Sequence, residues 1–310
     1  MPVYNAMQYL DEAVQSILKQ TWTNFELILM DDASTDESGD AIEAYARADH
    51  RVIARRFSQN QGHAHLMNIG MQMARSNLIA VMHSDDIALP DRFEKQVAFM
   101  QRNPDIQVLG SAYRILAGRQ PTDVIMTNPA DPKQVDAVMP AGCCVGHPTV
   151  MFRKAAIEKL GGYRAHFVPA EDYDLWLRLL REKPGSIANL EDCLLMYRIH
   201  PNQSSTAGMR KTILLTQAIK LNHQRCLAGQ PEMFDGREPV DPQKLAKTVG
   251  PSQLNQDIIQ GYAIRMAQFR SWGLPESDIA CIETDLTNLA RETGLSSYAR
   301  ASMALAHAQI

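Results

Sequence analysis

Apolar and polar residues alternate in short blocks along the first two thirds of the chain. Apolar runs at residues 27–30 and 78–82 are too short for helices and predict buried strands. Elsewhere apolar residues recur every three or four positions, as Val14, Ile17 and Leu18 do, which predicts an amphipathic helix. Segments of the two kinds follow one another, which is typical of a mainly parallel sheet covered by helices. The pattern therefore predicts an α/β domain.

The segments of this domain have recognisable ends. The predicted strands are residues 25–30, 52–57, 78–82, 108–115 and 149–152. Predicted helices begin at Asp11, after the capping residues 34–36, at His63 and at Pro90. Pro90 is expected at the first helical position, because its ring fixes a helical φ.

The pattern changes near residue 205, where strand signals fade and helical ones continue. Two helical stripes follow, formed by Ile259, Tyr262, Met266 and Phe269 and then by Ile279, Ile282, Leu286 and Leu289. We therefore predict one domain at residues 1–205 and a helical C-terminal region at 206–310.

Composition narrows the class of protein. The 310 residues are 45% hydrophobic, and 31 basic against 35 acidic residues give a net charge of −4, with no excess of positive charge for nucleic acid. The five cysteines are an odd count without zinc-like spacing, which favours a reduced, cytoplasmic location. No apolar stretch is long enough for a transmembrane segment, and peripheral association with the inner face of the membrane stays open.

Three acidic signatures carry the chemistry: Asp31-Asp32, His83-Ser84-Asp85-Asp86 and Glu171-Asp172. The first two follow apolar runs directly. Open α/β sheets bind ligands at the carboxyl ends of their strands, where these acids are expected. Carboxylates gathered there suit a divalent cation, and a cation there suits a phosphate-bearing substrate.

These signatures belong to an ordered series of motifs. The series comprises Pro2-Val3-Tyr4-Asn5, Asp31 to Asp36, Asn60-Gln61-Gly62, Asn68-Ile69-Gly70, Ser84 to Pro90, Gly161-Gly162-Tyr163 and Glu171 to Trp176. Over roughly residues 1 to 205 it resembles the family 2 glycosyltransferases. The resemblance implies the Rossmann-like GT-A fold, with helices flanking the sheet and a C-terminal helical appendage. It also implies transfer of a sugar from a nucleotide-sugar donor, with UDP as the expected nucleotide.

The resemblance assigns the nucleotide to loops of the first half. The implied nucleotide-binding residues are Pro2, Tyr4, Asn5, Asp31, Asp32, Asn60, Gly62, Ser84 and Asp85. Tyr4 would stack on the base or contact the ribose. Asp31 would accept a hydrogen bond from a uracil-type N–H, with Asp32 in support. A core position for Tyr4 and helix capping by Asp31 are the alternatives.

The implied metal ligands are Asp85 and Asp86, with His200 approaching the ion. Mn²⁺ or Mg²⁺ would bridge the diphosphate oxygens there. His83 replaces the first aspartate of the usual Asp-x-Asp-Asp, which removes one negative charge but leaves an imidazole that can bind Mn²⁺. Capping of the following helix and a surface position for His200 are the alternatives.

Asp172 is the implied catalytic base, and Glu171 would assist it or bind the acceptor. The base would take the proton of an acceptor hydroxyl that attacks the anomeric carbon, which inverts the anomeric centre. An acidic first helical turn, favoured by the helix dipole, is the alternative interpretation. His147 and Trp176 are expected on the acceptor side, where the resemblance suggests bacterial surface polysaccharide or a lipid-linked glycan.

Other interpretations fit the sequence less well. A sugar-phosphate nucleotidyltransferase needs a glycine-rich basic loop near the N-terminus, and a dinucleotide-binding oxidoreductase needs an early G-x-G-x-x-G. A catalytically silent nucleotide-sugar-binding protein stays open because of His83. It also stays open because only Met1 precedes the Pro2 motif, where family members have a full apolar strand, so an upstream start or a replaced strand is expected.

Overall fold

The computed structural model describes residues 1–200, 203 and 208–309. The described chain forms two compact units. The first contains residues 1–115 and 125–198, and the second contains residues 116–124 and 199–310. The boundary at residue 205 stays a prediction.

Nine strands are present among the described residues. They are β1 (Pro2–Val3), β2 (Leu27–Asp31), β3 (Val52–Arg56), β4 (Leu78–Ala80), β5 (Ile87–Ala88), β6 (Val108–Ala117), β7 (Gln120–Met126), β8 (Met151–Arg153) and β9 (Ile187–Ile199).

Twelve α-helices accompany the strands in the described part of the chain. They are α1 (Leu10–Leu18), α2 (Ser38–Ala48), α3 (His63–Met73), α4 (Arg92–Arg102), α5 (Pro132–Val138), α6 (Lys154–Lys159), α7 (Glu171–Glu182), α8 (Met209–Leu227), α9 (Pro242–Val249), α10 (Pro251–Ser271), α11 (Glu276–Glu292) and α12 (Ser296–Gln309). Two short 3-10 helices cover His147–Thr149 and Ala165–Phe167.

The strand β2 has two buried faces. It lies in the centre of the parallel sheet β1-β2-β3, with Val3 opposite Asp31 in the register of β1 and β2. Leu27 and Leu29 face one core, and Ile28 and Met30 face another that includes α3. Successive side chains of a strand point to opposite faces, so burial of both faces explains the continuous apolar run. The predicted α/β class is confirmed here.

The second sheet has a different set of strand directions. It has six strands in the order β4-β8-β6-β9-β5, and β7 pairs with β6. The pairs β4–β8, β5–β9 and β6–β8 are antiparallel. Parallel pairing therefore holds for β1 to β3, while the second sheet is more mixed than the predicted alternation implies. The hydrophobic pattern of a strand reports its burial but not its direction.

The main core of the first unit joins both sheets. Leu10 and Val14 of α1 and Phe93 and Met100 of α4 pack with apolar residues of β2, β6, β8 and β9. Each Å² of apolar surface that these side chains remove from water stabilises the folded state by about 25 cal/mol. The core therefore fixes the loops that follow β2 and β4 relative to each other.

The helix α4 begins at Arg92, so the prediction that Pro90 is its first residue is wrong. Arg92 is fully buried, and its guanidinium donates to the carbonyls of Val81 (2.8 Å) and Val150 (3.3 Å). The carbonyl of Pro90 instead accepts from the backbone N–H of Thr21 at 2.9 Å. A buried arginine at the start of α4 thus holds the chain just before His83.

The second unit is helical over most of its described residues. Ile259, Tyr262, Met266 and Phe269 are buried on α10, and Ile279, Ile282, Leu286 and Leu289 are buried on α11. Both predicted stripes are therefore confirmed. Among the described residues, no helix combines the length and the apolar character needed to cross a bilayer.

Candidate functional site

The loop after β1 is joined to the loop after β2. The N–H of Asn5 donates to Ser34 Oγ at 2.9 Å, and Asn5 Oδ1 accepts from the N–H of Thr35 at 2.8 Å. Asn5 and Ala33 are the described non-glycine residues with positive φ, at 47° and 62°. This conformation costs about 1–2 kcal/mol per residue, and such strained residues cluster at ligand sites.

The two aspartates after β2 have different surroundings. Asp31 is buried; its Oδ1 accepts from the Ser34 N–H at 3.3 Å, and its Oδ2 lies 3.8 Å from Arg56 Nε. The Asp32 carboxylate accepts from the N–H groups of Gln61 at 2.6 Å and Gly62 at 2.9 Å. Asp32 therefore fixes the loop before α3, while Asp31 contacts the loop after β2 through the Ser34 N–H.

Other predicted nucleotide residues surround these aspartates. Pro2 lies opposite Met30 in the β1–β2 register, and the side-chain amide of Asn60 donates to the carbonyl of Asp32 at 3.2 Å. Tyr4 is 52% exposed, so the alternative of a core tyrosine is wrong. An exposed ring beside polar loops is free to stack on a planar ligand.

His83, Asp85 and Asp86 form what we call the carboxylate group. One ligand atom from each lies within 4.8 Å of one from each of the others. Asp86 Oδ1 accepts from the backbone N–H of Arg198 at 2.8 Å. Among the described residues, Asp86 Oδ2 is buried without a hydrogen-bond partner, and His83 Nδ1 lies 3.7 Å away. A buried carboxylate oxygen without a donor is costly unless a cation occupies the space before it.

Arg198 contacts two members of this group, Asp85 and Asp86. Its side chain is fully buried, donates to the carbonyl of Asp85 at 2.6 Å and pairs with Glu12 Oε2 at 2.6 Å. Its guanidinium also lies 4.3 Å from the Tyr9 ring centroid. Arg198 therefore orients the carboxylate group.

Three histidines lie beside the carboxylate group, and we call them the imidazole group. The ring centroids of His63, His83 and His147 are 5.3 to 5.7 Å apart. His83 Nε2 lies 3.1 Å from His147 Nδ1, and His147 Nε2 lies 3.0 Å from the Tyr163 hydroxyl. Burial lowers the pKa of His83 to about 4 and that of His147 well below its ordinary value. Both imidazoles are therefore neutral at pH 7.

Glu171 and Asp172 begin α7 and lie next to His63. Glu171 Oε1 is 2.7 Å from His63 Nδ1. Burial by itself raises the pKa of Glu171, but the hydrogen bond and charge of His63 bring it below its ordinary value. Burial and then the charge of Glu171 raise the pKa of Asp172 to about 7. Two adjacent acids with opposite shifts are typical of acid–base sites.

The loop at residues 161–163 holds these groups in place. Asn68 donates to the carbonyl of Tyr163 at 2.8 Å and accepts from its N–H at 2.9 Å. The Arg178 guanidinium donates to the carbonyls of Leu160 at 2.8 Å and Gly162 at 2.7 Å. Gly162 has a φ of +74°, and a Cβ there would lie 2.4 Å from Asn68 Oδ1, so glycine is required.

The sequence predicts His147 and Trp176 on the acceptor side. His147 belongs to the imidazole group. Trp176 is fully buried, and its ring centroid lies 6.3 Å from that of His147. The two residues predicted on the acceptor side therefore lie next to each other, and their role there stays a prediction.

His200 lies in the second unit, where its N–H donates to Gln203 Oε1 at 3.0 Å. Its approach to the metal stays a prediction. Ser84 lies between His83 and Asp85 in the sequence and is half-buried.

The sequence interpretation missed His63 as a site residue. The signal available was its place directly after the Asn60-Gln61-Gly62 turn, at the first position of α3.

The ion pair of Asp174 and Arg178 is expected to contribute to the stability of the folded protein. Both side chains are buried, and Arg178 Nε lies 2.9 Å from Asp174 Oδ2. Asp174→Ala leaves a buried guanidinium uncompensated and is expected to lower the free energy of unfolding by about 3–5 kcal/mol. Asp40→Ala removes one of the exposed partners of Arg56 and should cost about 1 kcal/mol or less. Urea unfolding of both variants checks the difference; equal losses would contradict it.

The comparison with known families identifies the class of protein as a glycosyltransferase. The sequence profile described as "Glycosyl transferase family 2" matches residues 1–161. The chain belongs to this family.

Named relatives support the assignment. The O-antigen biosynthesis glycosyltransferase WbnJ of Escherichia coli is 34% identical over 211 residues, covering 67% of this chain and 82% of WbnJ. The putative teichuronic acid biosynthesis glycosyltransferase TuaG of Bacillus subtilis is 30% identical over 227 residues, covering 72% of this chain and 87% of TuaG. The predicted enzyme class is therefore confirmed.

Solved structures of low identity share the fold. S. aureus TarS 1–349 in complex with UDP-GlcNAc has a TM-score of 0.59 at 18% identity, covering 99% of this chain and 87% of that one. The mannosyltransferase PcManGT from Pyrobaculum calidifontis, in complex with GDP-Man and Mn²⁺, has a TM-score of 0.55 at 14% identity, covering 99% and 85%. The predicted GT-A fold is confirmed by these likenesses.

Proposed function

We propose that the protein is an inverting, metal-assisted glycosyltransferase that transfers a sugar from a UDP-sugar to a hydroxyl group. One observation carries the proposal: the carboxylate group, through His83, and the acid pair of α7, through Glu171, both lie beside His63. The ring centroid of His63 is 5.6 Å from that of His83, and His63 Nδ1 is 2.7 Å from Glu171. A donor phosphate at the first group and an acceptor hydroxyl at the second would therefore be neighbours.

The donor proposal starts from the loops after β1 and β2. Tyr4 offers an exposed ring for a base, and Asp31 offers a buried carboxyl group at the end of β2. TarS, which shares the fold, was solved with UDP-GlcNAc, whereas PcManGT was solved with GDP-Man. A carboxylate accepts the N–H of uracil and equally the N–H groups of guanine. We propose UDP on the likeness to TarS, and titration against GDP tests the choice.

The residues of the carboxylate group fit a divalent cation. Asp86 Oδ2 is buried and unpartnered among the described residues, and atoms of His83 and Asp85 lie within 4.8 Å. Asp85 and Asp86 would hold Mn²⁺ or Mg²⁺, and His83 favours Mn²⁺ because an imidazole suits transition metals. A cation bound there supplies Lewis-acid stabilisation of the departing diphosphate.

The chain's own residues perform the proton transfer. Asp172 accepts the proton of the acceptor hydroxyl while that oxygen attacks the anomeric carbon. The bond from this carbon to the diphosphate oxygen breaks, and the nucleoside diphosphate leaves with the electron pair. Attack opposite the leaving group inverts the anomeric centre. The pKa of Asp172, near 7, suits a base at neutral pH.

The acceptor is proposed from the relatives. WbnJ is named for O-antigen biosynthesis and TuaG for teichuronic acid biosynthesis. We propose an acceptor hydroxyl in a bacterial surface polysaccharide or a lipid-linked glycan. The predicted cytoplasmic location, at or near the inner face of the membrane, belongs to this proposal.

Calorimetric titration tests the donor and metal together. UDP is expected to bind the protein more tightly with Mn²⁺ than without it, and more tightly than GDP does. Tyr4→Ala should weaken UDP binding by about 5- to 150-fold, since base–aromatic stacking contributes about 1–3 kcal/mol. Equal binding of UDP and GDP would overturn the base assignment, and the absence of a metal effect would overturn the role of the carboxylate group.

The pH dependence of turnover tests the base. A base must be deprotonated, so kcat/KM is expected to rise with pH up to about 7 and to level off above it. The rise should disappear in Asp172→Asn, which has no carboxyl group there. A profile that is flat between pH 5 and 8 in the unmodified protein, or unchanged in the variant, would contradict the assignment.

A further inference from the structure

The imidazole group contains a second arrangement of metal-binding atoms. One nitrogen of each of His63, His83 and His147 lies within 4.8 Å of one nitrogen of each of the others. His63 is the first residue of α3, His83 lies between β4 and β5, and His147 begins a 3-10 helix. His63 and His147 are separate from the carboxylate group, which shares only His83 with this set.

In each of the three rings, one nitrogen lies near an oxygen atom of a residue outside the imidazole group. His63 Nδ1 is 2.7 Å from Glu171 Oε1, and His147 Nε2 is 3.0 Å from the Tyr163 hydroxyl. His83 Nδ1 is 3.7 Å from Asp86 Oδ2. In metal sites, a histidine that binds the ion almost always donates a hydrogen bond from its other ring N–H to a carboxylate, a carbonyl or water. This hydrogen bond fixes the orientation of the ring. The imidazole group shows this pattern at two rings, and at longer distance at the third.

The imidazole group can be reached from solvent. The side chains of His63 and His83 are 29% and 27% exposed, so an ion can approach them from solution.

We propose that His63, His83 and His147 form a binding site for a transition-metal ion of the Zn²⁺ type, which shares only His83 with the carboxylate group. Nitrogen ligands select Zn²⁺, Co²⁺ or Ni²⁺, whereas Mg²⁺ takes oxygen ligands. Three protein ligands leave a fourth position for water or another ligand, since zinc in proteins is almost always four-coordinate. The site does not rest on the proposed function.

A metal-free network of hydrogen bonds is the competing interpretation. The Tyr163 hydroxyl could donate to His147 Nε2, and His147 Nδ1–H to His83 Nε2 over the observed 3.1 Å. This network involves His83 and His147 but gives His63 no part. His63 is therefore the residue that separates the two interpretations.

The experiment is titration of the full chain with Co²⁺, in the absence of donor and acceptor. A tetrahedral nitrogen site gives strong visible absorption bands, and Zn²⁺ should then displace Co²⁺ and remove them. His63→Ala is expected to weaken Co²⁺ binding at least about tenfold, as loss of a ligand or its support does. His65→Ala, at the exposed histidine two positions along the same helix, is the matched control and should bind normally.

Asp85→Asn separates the two metal groups, because Asp85 belongs only to the carboxylate group. It should leave the Co²⁺ spectrum unchanged. Absence of the visible bands in the unmodified protein would overturn the proposal and favour the hydrogen-bond network. Loss of the bands in Asp85→Asn, with normal binding in His63→Ala, would also overturn it, because the ion would then occupy the carboxylate group. Failure of UDP binding in the calorimetric experiment would leave this test unaffected.

Discussion

Asp172→Asn is expected to slow sugar transfer by about 10²–10⁴-fold while UDP affinity changes little. The amide has nearly the size and shape of the carboxylate, and its oxygen can still accept from the N–H of Tyr173, which lies 2.8 Å from Asp172 Oδ1. What the amide lacks is a basic lone pair. The loss should therefore fall on the proton transfer and leave donor binding intact.

The measurement uses the donor found by screening nucleotide sugars for metal-dependent release of the nucleoside diphosphate. Asp192→Asn is a suitable control, because Asp192 is an exposed carboxylate of the same unit that pairs with Lys95. It should turn over at the normal rate. NMR of the product should show the anomeric configuration opposite to that of the donor. Near-normal turnover in Asp172→Asn, or a retained configuration, would refute the single displacement.

The fold could be predicted where a local pattern determines burial. The run at residues 27–30 became a strand buried on both faces, and the helical stripes on α10 and α11 are buried as predicted. The strand β7 was missed because its residues are exposed or half-buried and its first four are polar or proline, so only a run of three apolar residues marks it. The start of α4 was misplaced because a buried arginine, rather than the proline, begins the helix.

The site was predictable only in part, for a related reason. Acids that follow apolar runs were visible in the sequence, and the structure brings Asp85, Asp86 and His83 together. The contact of His63 with Glu171 joins residues 108 positions apart. No local period encodes such a contact. The full burial of Trp176 was not visible either, because a tryptophan beside an acidic motif looks the same in sequence whether it lines a cleft or fills the core.

Asp86→Asn is expected to abolish the gain in UDP affinity that Mn²⁺ gives and to lower turnover at least about 100-fold. The introduced amide keeps an oxygen for the N–H of Arg198, which in the unmodified protein donates to Asp86 Oδ1 at 2.8 Å. The substitution therefore preserves the local backbone but replaces the unpartnered oxygen by an amide nitrogen that cannot bind a cation. Loss of an outer partner alone typically costs 10–100-fold in metal affinity, and a direct ligand should cost at least as much.

Thermal unfolding distinguishes this loss from a folding defect. Without metal, Asp86→Asn should melt no lower than the unmodified protein, because a buried neutral amide costs less than a buried carboxylate oxygen without a partner. Adding Mn²⁺ with UDP should raise the melting temperature of the unmodified protein but not of the variant, since a ligand stabilises only the state that binds it. An equal rise in both proteins would show that Asp86 is not a metal ligand, because the variant would then bind Mn²⁺ and UDP as well as the unmodified protein does.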